Sequence, residues 1–253
     1  MAARDEIIAF CDELLDAGSF DDYGPNGLQV PGEGEVDKVV TGVSAHLELL
    51  QRARDCGAQM VLAHHGLFWD FHPRALSEAM AARLRLALEA DISVAGYHLP
   101  LDAHPEIGNN GLLGSALGFK PQPGELAVVR GRAIGFVGVR ENPLAAAELF
   151  AVVTDLLGRT PLVFDAGPAE VRSIGICSGS AAGNVHDAIA LGLDAYLTGE
   201  PAEHAMADAR EAKIHFVAAG HYATETAGIR RLGDLVAERF EIEHEFIDVA
   251  NPV

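Results

Sequence analysis

Three short apolar runs in this chain end on histidine, and segments of helical period separate them. Gln59–Ala63 runs straight into His64 and His65, Ile92–Gly96 into Tyr97 and His98, and Ile214–Ala218 is followed by Gly220 and His221. Ahead of the first run, Val39–Val43 reads as another strand and His46–Cys56 as a helix stopped by Gly57. Ser77–Ala90 is an Ala/Leu/Arg helix. A parallel neighbour can be reached only by a crossover, so this alternation requires a sheet with parallel strands and helices on its faces.

The last third repeats the pattern. Ser173–Cys177 is a strand, followed by the turn SGSAAGN, a helix over Val185–Leu191 and a strand over Ala195–Thr198. Pro201–Ala212 is then a helix and Ile214–Ala218 a strand. Two copies are too few for a solenoid and point instead to two related halves. Between them, Glu125–Val139 reads as an antiparallel strand pair and Pro143–Leu157 as a helix with proline in its first turn. The fold class expected is α/β: two similar α/β domains with mixed, largely parallel sheets flanked by helices. The first covers 1–124 and the second 125–253, with exchange of terminal elements between them left open.

Composition narrows the function classes. The 253 residues carry 18 Lys+Arg against 37 Asp+Glu, a formal net charge of −19. Proteins that live on nucleic-acid backbones or anionic lipid need clustered cations, so nucleic-acid binding is disfavoured. A phosphorylated small molecule remains open, because bound metal ions can supply positive charge. Cys11, Cys56 and Cys177 are far apart and lack CxxC spacing, which indicates neither a disulfide framework nor a thiolate zinc site. Asp5 and Glu6 interrupt the stretch a signal peptide would need, and no window approaches a membrane span. The expectation is a cytoplasmic protein with no membrane partner.

In open sheets with parallel strands, functional groups gather beyond the carboxyl ends of strands. His98 is followed four residues on by Asp102, in a segment whose Pro100 argues against a helix, and His221 is followed four residues on by Glu225. His221 and Glu225 at i, i+4 can share one helical face. Adjacent strand residues point to opposite faces, so His64 and His65 can share a site only if the chain leaves the strand, with Gly66 helping it turn. Together these form a His/carboxylate cluster without thiols, a set suited to zinc, iron(II), manganese or nickel. The candidates exceed what one tetrahedral zinc needs and suit two metals sharing a carboxylate. Glu200 and His204 are candidates for proton transfer, and Asn26 for orienting substrate or ligands. The SGSAAGN turn is a weak anion-site candidate. His46, His72, His186, His215 and His244 have no partner pattern.

PNGLQV (Pro25–Val30), AHHG (Ala63–Gly66), YHLPLDAHPEIGNN (Tyr97–Asn110), TGE (Thr198–Glu200) and GHYATE (Gly220–Glu225), in this order, resemble one family. It is the NGG-interacting-factor-type family, often named GTP cyclohydrolase type 2 homologues, and the likeness is to its short bacterial members. The resemblance implies two similar α/β domains with a dinuclear metal centre between them, assembled as a homohexameric toroid. It places the metal ligands on His64, His65, Asp102, His221 and Glu225. His98, Glu200 and His204 match positions near the metals and are the catalytic candidates. Many members read YHTNLD where this chain has Tyr97-His98-Leu99-Pro100-Leu101-Asp102, a departure that keeps Asp102.

Two functions follow as expectations. One is a metal-dependent hydrolase that opens the ring of a purine nucleotide or related small molecule with metal-activated water. It would use two divalent ions, with zinc, iron and manganese left open. The other is a non-catalytic hexameric metal-binding scaffold or regulatory interaction protein.

Overall fold

A computed structural model describes every residue from Met1 to Val253. The chain is a mixed α/β protein that clusters into two units. The first comprises Met1–Leu101 and Gly228–Ala250, the second Asp102–Ala227 and Asn251–Val253. No helix is long and apolar enough to cross a membrane.

The first unit is built on a five-stranded sheet, in the order Glu243–Phe246, Lys38–Ser44, Met60–His65, Ser93–Gly96, Gly27–Val30. The first four strands are parallel, and Gly27–Val30 closes one edge antiparallel to Ser93–Gly96. Met60–Ala63 is buried at every position, as expected of a parallel strand covered on both faces. Its apolar core joins Val40, Val61 and Val94 to Leu49, Leu50 and Ala53 of the helix Leu47–Asp55. Two helices carry side-chain caps: His46 accepts from the Leu49 N–H, and Ser77 accepts from the Met80 N–H.

The second unit has a six-stranded sheet, in the order Leu162–Phe164, His215–Ala218, Ala195–Thr198, Glu170–Cys177, Phe136–Ala145, Lys120–Pro121. The strands His215–Ala218, Ala195–Thr198 and Glu170–Cys177 are mutually parallel, and each further strand pairs antiparallel with its neighbour. The core gathers Ile174, Ile176, Leu197 and Val217 of the strands with Leu149 and Val153 of the helix Ala146–Leu157.

Several local expectations give way to specific physics. The chain divides between Leu101 and Asp102 and not at 124/125, because the helix Asn109–Ala116 packs into the second unit's core through Leu113. A Cβ on Gly114 would lie 2.3 Å from the Phe136 ring, so glycine permits the close approach. The terminal strand Glu243–Phe246 pairs in parallel with Lys38 to Thr41, returning this late segment of the chain to the first unit. Pro143 lies in the strand Phe136–Ala145, not in the following helix. It falls where the register against Glu170–Cys177 shifts between Val139 and Leu144, so its missing N–H interrupts no paired position of the ladder. Leu99–Ala103 is a short helix despite Pro100, which occupies the first turn, where an N–H has no helical partner to lose.

Candidate metal centre

In the first unit the strand Met60–His65 continues through both histidines, although a shared site was expected only if the chain left the strand there. Their rings nevertheless lie side by side, with centroids 4.7 Å apart and planes inclined by 39°. His98 joins them at 5.2 Å from His64 and 5.7 Å from His65. Each of the three offers a ring nitrogen within 4.8 Å of the others. His64 is fully buried, and its Nδ1 lies 2.9 Å from the Tyr97 carbonyl oxygen. A carbonyl only accepts, so Nδ1 carries the proton and Nε2 keeps its lone pair in the neutral ring. His65 Nδ1 is 3.1 Å from Ser44 Oγ.

The turn that follows is held from a distance in sequence. Gln29 accepts from the Leu67 N–H at 2.6 Å and donates to the Pro25 carbonyl at 2.7 Å. A Cβ on Gly66 would stand 2.2 Å from the Gln29 amide, so any larger residue there would displace Gln29 from these hydrogen bonds. Asn26 accepts from the His98 N–H at 2.9 Å and donates to Asp22 at 3.0 Å. Its amide therefore positions the backbone of His98. Asp22 also faces His98 Nδ1 at 2.8 Å and accepts from the Leu99 N–H. Burial works to raise the Asp22 pKa, but His98, Asn26 and the Leu99 N–H together hold it below the ordinary carboxylate value.

In the second unit Asp102 is 5% exposed. Its Oδ1 accepts from Asn109 Nδ2 at 2.8 Å and from Ser178 Oγ at 3.0 Å. The buried Asn110 amide ties the same region together by accepting from the Ser178 N–H and donating to the Ile134 carbonyl. His221 opens the short helix His221–Thr224 and sits between two carboxylates, with Nδ1 2.5 Å from Glu200 Oε1 and Nε2 3.1 Å from Glu225 Oε2. Burial pulls the His221 pKa down, yet Glu225 and Glu200 outweigh it and raise the value to about 9. Glu225 itself is 2% exposed.

Gly179 explains how the chain makes room. Its φ is +67°, and a Cβ there would lie 2.4 Å from Glu225 Oε1 and 3.3 Å from His221 Nε2. Its N–H donates to Thr224 Oγ1, and its carbonyl accepts from the N–H groups of Gly199 and Glu200. With the Ser178 and Gly179 N–H groups spent inside the protein, the start of the SGSAAGN turn is not an anion cradle.

His204 stacks on His186, rings parallel within 5° at 6.4 Å, with His186 Nε2 3.4 Å from Asp208. His215 is spent structurally, donating from Nε2 to the Pro168 carbonyl and accepting the Gly167 N–H at Nδ1. His244 lies between Asp234 and Thr41.

The donors fit divalent transition metals. Each unit presents an imidazole whose Nδ1 faces a fixed oxygen, the usual support for an Nε2 ligand. The second unit adds buried carboxylates in a chain of net charge −19, where a cation offsets their burial. No cysteine belongs to any of the converging donor groups, and burial, reinforced by Asp102, Glu225 and Asp187, pushes the Cys177 thiol well above its usual pKa.

Sequence reasoning missed Asp22, Gln29, Asn109, Asn110 and Ser178. Gln29, Asn109 and Asn110 lie inside the recognised motifs, which was their signal; Asp22 and Ser178 had none beyond turn composition.

Comparison with known proteins places this geometry. A family model described as Duf34/NIF3 (NGG1p interacting factor 3) matches residues 2–252. A Pseudomonas aeruginosa protein named GTP cyclohydrolase 1 type 2 homolog is 45% identical over 250 residues, covering 99% of this chain and 98% of its own. An Escherichia coli K12 protein of the same name is 40% identical, covering 98% of each. Among solved structures, protein ybgI, described as of unknown function, superposes with a TM-score of 0.94 at 38% identity over the whole of both chains. TTHA1606 from Thermus thermophilus gives 0.88 at 30% identity, again over the whole of both.

Proposed function

The chain belongs to the Duf34/NIF3 family, and from that premise we propose that it is a dinuclear metal-dependent hydrolase acting on a purine nucleotide or a related small molecule. His64 and His65 from one unit and Asp102, His221 and Glu225 from the other are the proposed ligands of two divalent ions. Supporting this above all is the half-buried His221, with Glu200 on one ring nitrogen and the buried Glu225 on the other. The name borne by the relatives supports the substrate class.

Bound divalent ions supply Lewis-acid polarisation and lower the pKa of water. The protein's own contribution is positional. Tyr97 and Glu200 hold the Nδ1 protons of His64 and His221, fixing the rings so that Nε2 faces the ligand side. Asn109 and Ser178 both donate to Oδ1 of Asp102 and so fix the orientation of its carboxylate. His98, oriented by Asp22, is the proposed proton carrier of the first unit. The same reading takes the functional assembly to be a homohexamer.

The test is metal analysis of the purified protein beside Glu225→Gln and His64→Ala, followed by incubation of the metal-loaded wild type with GTP and modified purine nucleotides. Two metals per chain, lost in both variants, with ring-opened product formed only by wild type, is the expected result. Metal binding without turnover of any nucleotide would favour the scaffold reading. Wild type without metal would sink both.

A further inference from the structure

Beyond the histidine turn, the segment from Leu67 to Arg83 encloses a cavity of about 630 Å³, within the range of small-molecule sites. Phe68, Trp69, Leu76 and Met80 give it apolar walls, and Arg74 and Arg83 reach the same space. Neither guanidinium forms an ion pair or hydrogen bond within the protein, although acids outnumber bases by 37 to 18 along the chain. Asp70 is the single carboxylate on the wall, so the lining is net positive on a strongly acidic protein.

Trp69 connects this space to the first unit's cluster. Its ring meets His98 edge-on at 5.1 Å and lies 5.9 Å from His65. Phe71 stacks on it at 5.5 Å with planes inclined by 22°. A carbonyl backstop fixes the loop: a Cβ on Gly24 would stand 2.2 Å from the Phe68 carbonyl oxygen.

We infer that this cavity binds a planar heteroaromatic molecule carrying an anionic group, with the ring against Trp69 and the anion between Arg74 and Arg83. An aromatic face rewards any flat π-system, and guanidinium groups favour phosphate or carboxylate geometry. The pairing of the two in one cavity selects a ligand with both features, such as a nucleotide. Binding stands independently of any metal, whereas its role as the substrate-recognition part of the proposed hydrolase rests on that reading.

Trp69 is the chain's only tryptophan, so its fluorescence reports on this cavity and the adjoining histidines, and the arginine variants separate the two. Metal-stripped full-length protein is titrated with GTP, with guanosine (ring without anion) and with inorganic triphosphate (anion without ring). GTP should quench saturably, and each fragment should bind at least ~10-fold more weakly. Arg74→Gln and Arg83→Gln should each weaken GTP ~10-fold, with wild-type metal content on reconstitution. The inference is overturned if GTP gives no saturable change, if triphosphate binds as tightly as GTP, or if the double variant binds like wild type. A protein that binds GTP but takes up no metal supports the cavity and sinks the metal reading; one that takes up metal but ignores GTP does the reverse.

Discussion

Glu200 offers the sharpest handle on the proposed centre, because its one close contact is with the far nitrogen of a proposed ligand. Its Oε1 lies 2.5 Å from His221 Nδ1, and its other oxygen is only weakly held, at 3.4 Å from Ser180 Oγ. Replacing it therefore leaves all five proposed ligands in place and changes only how one of them is presented. Partners of this kind are worth about 10–100-fold in metal affinity, or roughly 1.4–2.7 kcal/mol. Glu200→Ala removes both charge and acceptor and should fall near the upper end. Glu200→Gln keeps an acceptor oxygen where Oε1 now sits but loses the charge, and should fall near the lower end. Glu203→Gln is the control, since it makes the same change in net charge three residues away. Zinc affinity is measured for all four proteins by competition with a chromophoric chelator, with circular dichroism confirming the fold. Glu200→Ala binding zinc within twofold of wild type would refute the reasoning. So would equal losses in Glu203→Gln and Glu200→Gln, because the effect would then be long-range charge and not orientation of His221.

Gly179→Ala should lower metal affinity by at least ~10-fold and cost about 1–2 kcal/mol in stability from the left-handed φ alone; metal titration and thermal melts read the two effects. Asn110→Ala leaves the buried Ser178 N–H and Ile134 carbonyl without their partner and should cost about 3 kcal/mol in urea unfolding, with a loss below about 1 kcal/mol counting against it. Asp22→Asn tests a pH effect of known sign. The folded-state pKa of Asp22 is depressed below 3.8, so its contribution is present above that value and lost as pH falls through the folded pKa. The stability gap between wild type and variant should accordingly be constant near neutrality and close in acid, as urea melts from strongly acidic to neutral pH will show.

The alternation of strand and helix was legible because each parallel strand is a short apolar run with both faces covered. Ala195–Thr198 matches its expected limits, and the other central strands differ at their ends by a few residues. Prolines were misread where tertiary register overrides local preference. Pro143 signals a helix start in isolation, yet a shift in strand pairing gives it a place inside Phe136–Ala145. Pro100 signals a break, yet it falls where a helix has no N–H to satisfy. The boundary between units escaped for a related reason. The boundary expected at 124/125 fell too late, because Leu113, Leu117 and Phe119 ahead of it already belong to the second unit's core.

At the site, sequence exposed the donors and concealed what holds them. Histidines at three strand ends, two of them followed four residues on by a carboxylate, are conspicuous together where one alone would not be. The oxygens that fix their tautomers are less so: Tyr97 offers His64 a main-chain carbonyl, which every residue has. Gln29 reaches a turn 38 residues away, and Asn110 meets Ser178 across 68. No periodicity encodes such pairings; they exist only once the sheets have formed. Glu200 shows the same limit. Sequence marks it as a candidate for proton transfer, and only the fold shows its 2.5 Å contact with Nδ1 of His221, a proposed ligand. Asn26 follows the same course, from a candidate for touching substrate to a brace on the His98 backbone. Residue type and strand-end position thus identify which side chains can do chemistry, while the division of labour among them is a property of the folded backbone.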